Sequence, residues 1–208
     1  MNARLCFMSD GPRSTGGRPL LDVVEALARG GVELVVLREA AWTGREWSEA
    51  ARQLAPARAR GLRLVASRRL DVARALDLDG VHLGAEAVPV REARAFLGSG
   101  KLVGYSAHEA AEAERADAEG ASYVMLSPIY ETDSKPGAAP RGCAWLREAT
   151  RALRVPAFAL GGVTAERVAE LCAAGASGVA AAAALGAAPD PEAAAREFGR
   201  ALADEGAR

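Results

Sequence analysis

Two consecutive glycines, Gly161 and Gly162, follow an apolar run and precede a helical pattern that starts near Thr164. Glycine lets the backbone approach an anion closely, and the first N–H groups of a helix have no intrahelical acceptor. The small residues Ala182 and Ala183 end another apolar run and leave space rather than fill it. Together these residues predict a phosphate site made by the backbone of Gly161, Gly162, Ala182 and Ala183, with a plain strand-to-helix turn as the alternative.

The longest interruption of the apolar pattern is segment 129–142, which reads IYETDSKPGAAPRG. Loops of more than about 12 residues in compact domains often form lids or binding loops. The hydroxyls, the lysine and the glycine of this segment suit closure over a phosphorylated ligand. A solvated surface loop is the alternative.

The chain contains two histidines, His82 and His108. His108 follows Ser106 at the end of an apolar run, where an imidazole can act as a general base on a substrate proton. A core or helix-capping role for His108 is the alternative. His82 lies inside the run GVHLG, a position that favours a structural role.

Arg38 and Glu39 end the second apolar run. An arginine at this place can hold a carboxylate or a phosphate through two parallel hydrogen bonds. Alternatively, Arg38 pairs with Glu39 or Glu131 and only braces the rim of the fold.

Paired carboxylates suited to Mg²⁺ do not follow the third and fourth apolar runs, where Arg68 and Ala87 stand. A single carboxylate, Glu86, is a poor magnesium site, because Mg²⁺ is usually held by one or two carboxylates together with substrate phosphates. The sequence therefore predicts no metal site and no cofactor.

Eight short apolar runs recur along the chain, each followed by a longer helical pattern. The runs are apolar throughout, as parallel strands covered by helices on the outside should be. They are Leu5–Ser9, Val32–Glu39, Leu62–Ser67, Gly80–Gly84, Leu102–Ala107, Tyr123–Ile129, Pro156–Gly161 and Gly178–Leu185. This order predicts an α/β fold, a single (β/α)₈ TIM barrel over residues 1–208, with a doubly wound sheet as the alternative. In such a barrel the carboxyl ends of the strands form the catalytic face, which is where the candidate residues lie.

The composition of the chain limits the kinds of partner that it can be expected to bind. The chain has 208 residues with Lys+Arg 26 and Asp+Glu 27, a net charge of −1 that gives no support to nucleic-acid or membrane binding. Its three cysteines are odd in number and lack metal-ligand spacing, so we expect neither a disulfide framework nor a zinc site, and a reducing cytoplasm fits. We expect no signal peptide, and the sequence leaves open whether the chain forms a homo-oligomer.

The strand ends and their flanks resemble the thiamine phosphate synthase superfamily, which includes the thiazole tautomerases. The resemblance rests on LDVARALDLDGVHLG, VGYSAHEAAEAERADAEGASYVMLSPIYETDSKPGAAPRG and VPAFALGGVTAERVAELCAAGASGVA, and it spans nearly the whole chain. It implies a phosphate site at Gly161, Gly162 and the backbone of 182–183. It also implies that an anionic ligand is contacted by Arg38, Thr132, Ser134 and Lys135, and we add Ser106 from its place at a strand end.

Departures from the synthase pattern are concentrated at three strand ends. Synthases resemble one another in a Q-x-R-x-K motif after strand two, where this chain has VLREA at 36–40. An Asn-Asp pair is replaced by Ser67 and Arg68, and a further aspartate by Ala87. The loss of both aspartates removes the Mg²⁺ that would neutralise the departing pyrophosphate, and the positive charge of Arg68 opposes metal binding further.

Glu131-Thr132-Asp133 with Lys135 is similar to the tautomerase branch. The reaction of that branch isomerises a carboxylated thiazole phosphate without a metal, by moving a proton so that the ring becomes aromatic. Its pattern has a histidine where Pro128 stands, so His108 would have to be the acid/base. The sequence thus favours a metal-independent thiazole tautomerase that binds a thiazole phosphate. A divergent thiamine phosphate synthase and a catalytically silent phosphate-binding regulatory protein remain alternatives.

Overall fold

The computed structural model describes residues 3–134 and 136–206. Eight parallel strands close into a barrel in the order β1 to β8, and β1 pairs with β8. The strands are β1 Leu5–Met8, β2 Leu34–Leu37, β3 Arg63–Ser67, β4 Gly80–Leu83, β5 Leu102–Ala107, β6 Tyr123–Leu126, β7 Ala157–Leu160 and β8 Gly178–Ala181. The predicted single (β/α)₈ barrel is therefore confirmed.

Helices alternate with the strands along the chain. They are α1 Leu20–Arg29, α2 Gly44–Gln53, α3 Ala55–Ala59, α4 Leu70–Ala75, α5 Val90–Leu97, α6 Ala110–Ala118, α7 Gly142–Arg151, α8 Val168–Ala173, α9 Ala183–Gly186 and α10 Pro191–Gly206. A 3₁₀ turn, Ala165–Arg167, leads into α8. Among the described helices, none is both long and apolar enough to cross a bilayer.

The segment that follows β2 forms two successive helices, α2 and α3. Thr43 and Glu46 form a capping box that starts α2, and Leu54 separates α2 from α3. Pro56, in the first turn of α3, has no N–H to donate to the preceding turn, which explains why the helix does not continue unbroken.

The core has two layers, because successive strand residues point to opposite faces of the sheet. Side chains facing outward from the strands pack against the helices, as Phe7 and Val35 do. The inward-facing side chains form a separate cluster that fills the barrel: Cys6, Met8, Leu34, Val36, Val65, Tyr123, Met125, Phe158 and Ala180. The barrel is thus a packed core, not a pore.

One histidine is part of this interior. His82 is buried between the outward-facing Val81 and Leu83, and its ring stacks on Tyr123 with centroids 5.6 Å apart. A Cβ at Gly104 would come within 2.2 Å of the Tyr123 ring and 2.6 Å of His82 Nδ1. The two rings therefore fit only because position 104 has no side chain.

A wide depression of about 970 Å³ lies at the amino-terminal end of the barrel. Its residue Asp79 is already engaged: Asp79 lies 2.9 Å from Nε of the neighbouring Arg58 and accepts from the backbone N–H of Leu64 at the same distance. In barrels of this kind the amino-terminal end serves stability and the opposite end carries chemistry. The functional site is therefore expected at the carboxyl-terminal end.

Candidate active site

A cavity of about 500 Å³ opens at the carboxyl-terminal mouth of the barrel, beside the ends of β1, β2, β6, β7 and β8. It brings together seven of the ten residues predicted from the sequence: Arg38, Thr132, Ser134, Gly161, Gly162, Ala182 and Ala183. Ser106 and His108 are not among its lining residues. Lys135, the tenth, lies outside the described residues.

Gly161 and Gly162 form the turn after β7, with φ of +97° and +62°. A Cβ at Gly161 would lie 2.9 Å from Pro128 Cα, and one at Gly162 would lie 2.4 Å from the Glu131 carbonyl oxygen. The glycines are therefore needed both for the backbone turn and for the close approach of the loop after β6. The same pair presents backbone, not side chains, to the cavity.

The end of β8 differs from the prediction. The strand was predicted to continue to Leu185, but it ends at Ala181, and α9 begins at Ala183. The N–H groups of Leu185 and Gly186 both donate to the Ala182 carbonyl oxygen, so the helical turn starts there. The earlier N–H groups of such a turn have no intrahelical acceptor, which suits them to an anion in the cavity.

Two arginines share one carboxylate at the mouth. Arg38 Nη2 lies 3.4 Å from Asp10 Oδ1, and Arg13 Nη2 lies 3.1 Å from the buried Asp10 Oδ2. Arg13 also donates to the Asp133 carbonyl oxygen, which ties the loop after β1 to the loop after β6. The alternative partners proposed for Arg38, Glu39 and Glu131, are not those seen in the described residues.

Ser9 holds Glu39 away from Arg38. The Ser9 hydroxyl donates to Glu39 Oε1 at 2.5 Å and accepts from the Arg38 backbone N–H at 2.8 Å. The side chain of Arg38 is consequently directed to Asp10 and remains part of the cavity lining.

A third arginine, Arg167, lies on the other side of the cavity. Its guanidinium carbon is 4.1 Å from the centre of the Tyr130 ring, and Nη1 donates to the Gly162 carbonyl oxygen. The Tyr130 hydroxyl in turn donates to Glu170, and its partial burial and its hydrogen bonds to Cys143 and Glu170 raise its pKa. Stacking and hydrogen bonding thus fix the cation at the cavity wall.

Sequence reasoning missed Arg13 and Arg167 as site residues. Arg13 follows β1 by five positions and Arg167 follows β7 by seven, so both come from loops on the catalytic face. That placement was the available signal; Arg167 also lies within the quoted segment VPAFALGGVTAERVAELCAAGASGVA, whereas Arg13 lies in none of the quoted segments.

The buried His82 and the partly buried Ser106 form a hydrogen-bonded pair beneath the mouth. His82 Nε2 lies 2.8 Å from Ser106 Oγ, and Nδ1 lies 3.1 Å from the Tyr123 hydroxyl. Burial, together with the positive charge of Arg38, lowers the pKa of His82 to about 3. The structural interpretation of His82 agrees with this environment, and substrate contact by Ser106 stays a prediction.

His108 lies behind the cavity wall. Its Nδ1 is 2.7 Å from the carbonyl oxygen of Ser127, a cavity residue, and its backbone N–H donates to Glu112 Oε2 at 2.8 Å. Because a carbonyl oxygen only accepts, Nδ1 carries the proton and Nε2 is the basic nitrogen of the neutral ring. The ring therefore has the right tautomer for a base, and its catalytic role stays a prediction.

Comparisons with known proteins agree with one another. A family model described as thiamine monophosphate synthase matches residues 5–185. A putative thiamine-phosphate synthase from Geobacter sulfurreducens is 44% identical over 189 residues, 90% of this chain and 87% of that protein. The chain belongs to the thiamine monophosphate synthase family. Within this family, a thiamine-phosphate synthase from Synechococcus is 39% identical over 95% of this chain, but the chain spans only 56% of that protein.

A solved structure supports membership of the thiamine monophosphate synthase family. The thiamine phosphate pyrophosphorylase from Pyrococcus furiosus superposes with a TM-score of 0.87 at 25% identity, covering 98% of this chain and 97% of that one. The names of these relatives support the synthase alternative better than the tautomerase interpretation, which the comparisons do not single out.

The two positions that the family resemblance assigns to magnesium aspartates do not fit a metal. Arg68 Nη1 lies 3.1 Å from Glu86 Oε2, and Ala87 packs its methyl against the core. Among the described residues, no group of three or more His, Cys, Asp and Glu side chains could hold a metal ion. A guanidinium at one position and a methyl at the other cannot coordinate Mg²⁺.

Proposed function

We propose that the chain is a thiamine-phosphate synthase, a transferase that joins a pyrimidine pyrophosphate to a thiazole phosphate. The observation that carries the proposal is the cavity at the mouth, where the turn after β7 and the start of α9 meet arginines from two further loops. Relatives named synthase cover most of the chain, which supports this reaction over others on the same fold. The proposal includes the predicted contacts of Arg38, Thr132 and Ser134, and of Lys135.

The phosphate of the thiazole would bind at Gly161, Gly162, Ala182 and Ala183. Backbone N–H groups at such turns stabilise a dianion without a counter-ion side chain. The thiazole ring would then extend from this end of the cavity toward Arg38 and the pyrimidine. Fixing both substrates converts an encounter into a reaction within one complex.

In the transfer, the bond between the pyrimidine methylene carbon and the pyrophosphate oxygen breaks, and its electron pair leaves with pyrophosphate. The thiazole ring nitrogen supplies the electron pair for the new carbon–nitrogen bond. No proton must be removed from the thiazole nitrogen, so the reaction needs positioning and cations more than a base. The arginines at the mouth supply positive charge of the required kind.

The test is product formation by the purified full chain. Both substrates are incubated with the enzyme, with Mg²⁺ in one arm and EDTA in the other, and thiamine phosphate is measured chromatographically. We expect product in at least one arm. Its absence from both arms would reject the synthase reaction.

A matched pair of variants tests the phosphate site. Ala183 is exposed, so Ala183→Asp and Ala183→Asn should both fold, and they differ only in charge. We expect Ala183→Asp to raise KM for the thiazole phosphate by about tenfold through like-charge repulsion. The asparagine variant should raise it clearly less; equal KM values would place the phosphate elsewhere.

The tautomerase reaction is the second candidate, and the residues at 68 and 87 favour it because it needs no metal. We expect His108 Nε2, the basic nitrogen, to exchange the ring proton if this reaction operates. The carboxythiazole phosphate is incubated in deuterated water with wild type and with His108→Ala, and isotope exchange is followed by NMR. Exchange by wild type that is lost in the variant would establish the tautomerase. If the carboxythiazole phosphate binds but neither isotope exchange nor thiamine phosphate formation is seen, the catalytically silent phosphate-binding protein is the remaining candidate.

A further inference from the structure

The backbone of Arg68 is held in a fixed conformation at the rim of the barrel. Its backbone has φ of +62°, in the left-handed region, and its N–H donates to the His82 carbonyl oxygen at 2.9 Å. This conformation is unfavourable for a residue with a Cβ. Such backbone positions cluster at functional sites when the surrounding fold enforces them. The strand ends therefore set where the Arg68 side chain starts.

The guanidinium of Arg68 has only a weakly held partner in Glu86. The ion pair is 3.1 Å long, and the two side chains are 55% and 81% exposed. Ion pairs this exposed contribute little to stability, because water screens them and both side chains lose freedom. A more highly charged anion can therefore take the place of the Glu86 carboxylate.

At the end of β4 there is room for an anion to replace the Glu86 carboxylate beside Arg68. Arg68 Nη2 lies 3.9 Å from the point that a Cβ of Gly84 would occupy, so the guanidinium extends over backbone without a side chain beneath it. The neighbouring position that resembles a metal aspartate is Ala87, which offers no competing negative charge. An anion that displaces the exposed Glu86 carboxylate would meet the Arg68 guanidinium, with no carboxylate at position 87.

The rim position is continuous with the cavity. In the register of β2 with β3, Leu37 pairs with Ala66, so Arg38 and Ser67 are the next residues on the same edge. Arg68 follows directly, and Arg38 lines the cavity. Two cations thus follow neighbouring strands, on the side of the mouth away from β7.

We propose that Arg68 is a binding residue for the pyrophosphate group of the second substrate, and that it binds this group without a divalent metal. The identity of that substrate rests on the proposed function. A guanidinium donates two parallel hydrogen bonds to phosphate oxygens and keeps its charge at any physiological pH. As the carbon–oxygen bond breaks, the added negative charge on pyrophosphate strengthens this contact, while Arg68 keeps its proton.

Titration calorimetry with inorganic pyrophosphate in EDTA tests the proposal on the full chain. The variant is Arg68→Asn, because asparagine tolerates the left-handed backbone and removes the guanidinium. The matched control is Arg52→Asn, which removes an exposed arginine of α2 that pairs with Glu49. We expect wild type and the control to bind pyrophosphate equally, and Arg68→Asn to bind about tenfold more weakly or worse.

Pyrophosphate in the phosphate cavity instead of at Arg68 would give a different pattern. In that case Ala183→Asp would abolish binding and Arg68→Asn would leave it unchanged, which would overturn the proposal. A strict requirement of wild type for added Mg²⁺ would overturn it as well. Circular dichroism of each variant confirms that the fold is retained.

The outcome of the pyrophosphate titration can be distinguished from the outcome of the synthase assay. Product formation with unchanged pyrophosphate affinity in Arg68→Asn would leave the synthase standing and reject Arg68. Loss of affinity in this variant without product from wild type would support the Arg68 site and reject the synthase.

Discussion

At the scale of single residues, the cavity arginines differ in how they are held. Arg13 and Arg38 share the carboxylate of Asp10, so their charge is partly neutralised before any ligand arrives. Arg167 instead rests on an aromatic ring and a carbonyl oxygen, neither of which carries a full negative charge. The carboxylates of Glu166 and Glu170 also interact electrostatically with Arg167, so each of the three cations has negative charge nearby. Arg167 differs in that its guanidinium, among the described residues, forms no direct ion pair and is held by stacking and a hydrogen bond.

We expect Arg167→Met to raise KM for the thiazole phosphate by about tenfold, because a charge-assisted contact is lost while an apolar stem can still cover Tyr130. Steady-state kinetics with saturating second substrate measure it. Arg196→Met is the control, since Arg196 pairs with Glu192 on α10. An unchanged KM in Arg167→Met would show that this cation does not face the substrate.

At the scale of elements, the strands could be predicted because each is apolar throughout and followed by a helical pattern. The end of β8 could not, because Ala182 to Ala184 suit a strand and a helix alike and the turn is set by the fold around them. The break between α2 and α3 is a local effect of Pro56, and that signal was present in the sequence.

The residues of the candidate site also fall into two groups, those that could be predicted from the sequence and those that could not. Gly161 and Gly162 could be found because their chemistry is local to one turn. Arg13 and Arg167 could not, since their placement depends on Asp10, Asp133 and Tyr130, which come from different loops. Sequence predicts which loops form the mouth, but not which long side chains turn into it.

The turn after β7 gives a prediction at this scale. Gly162→Ala places a Cβ 2.4 Å from the Glu131 carbonyl oxygen, so we expect a loss of about 2–3 kcal/mol in unfolding free energy, measured by urea denaturation. Gly11→Ala is the control, because Gly11 has φ of +61° but nothing within 4 Å of the added Cβ. The control should lose only about 1 kcal/mol. Equal losses would mean that the conformation, not the contact with the loop, requires glycine.

At the scale of the whole molecule, the barrel interior makes stability depend on pH. Burial lowers the pKa of His82 from 6.5 to about 3, so the folded protein disfavours its protonation. Between these values the unfolded chain binds the extra proton, and unfolding free energy falls as pH decreases. For this one group the slope is about 1.4 kcal/mol per pH unit.

Urea denaturation of wild type and His82→Gln at pH 7, 6 and 5 measures this effect. Glutamine can still hydrogen-bond but does not titrate, so we expect a shallower pH dependence in the variant. Contributions of the carboxylates cancel in the difference between the two proteins. Identical slopes would show that His82 is protonated equally well in the folded barrel.

The pairing of β1 with β8 has a consequence for how the protein is made. The cavity takes residues from the loops after β1 and after β8, strands that are far apart in the chain and adjacent in the barrel. During synthesis β1 is made before β8. The edge of β1 that pairs with β8 therefore has no partner strand until residues 178–181 have been synthesised. Catalytic competence should therefore arise in one step, when β8 pairs with β1, rather than growing with each added strand–helix unit.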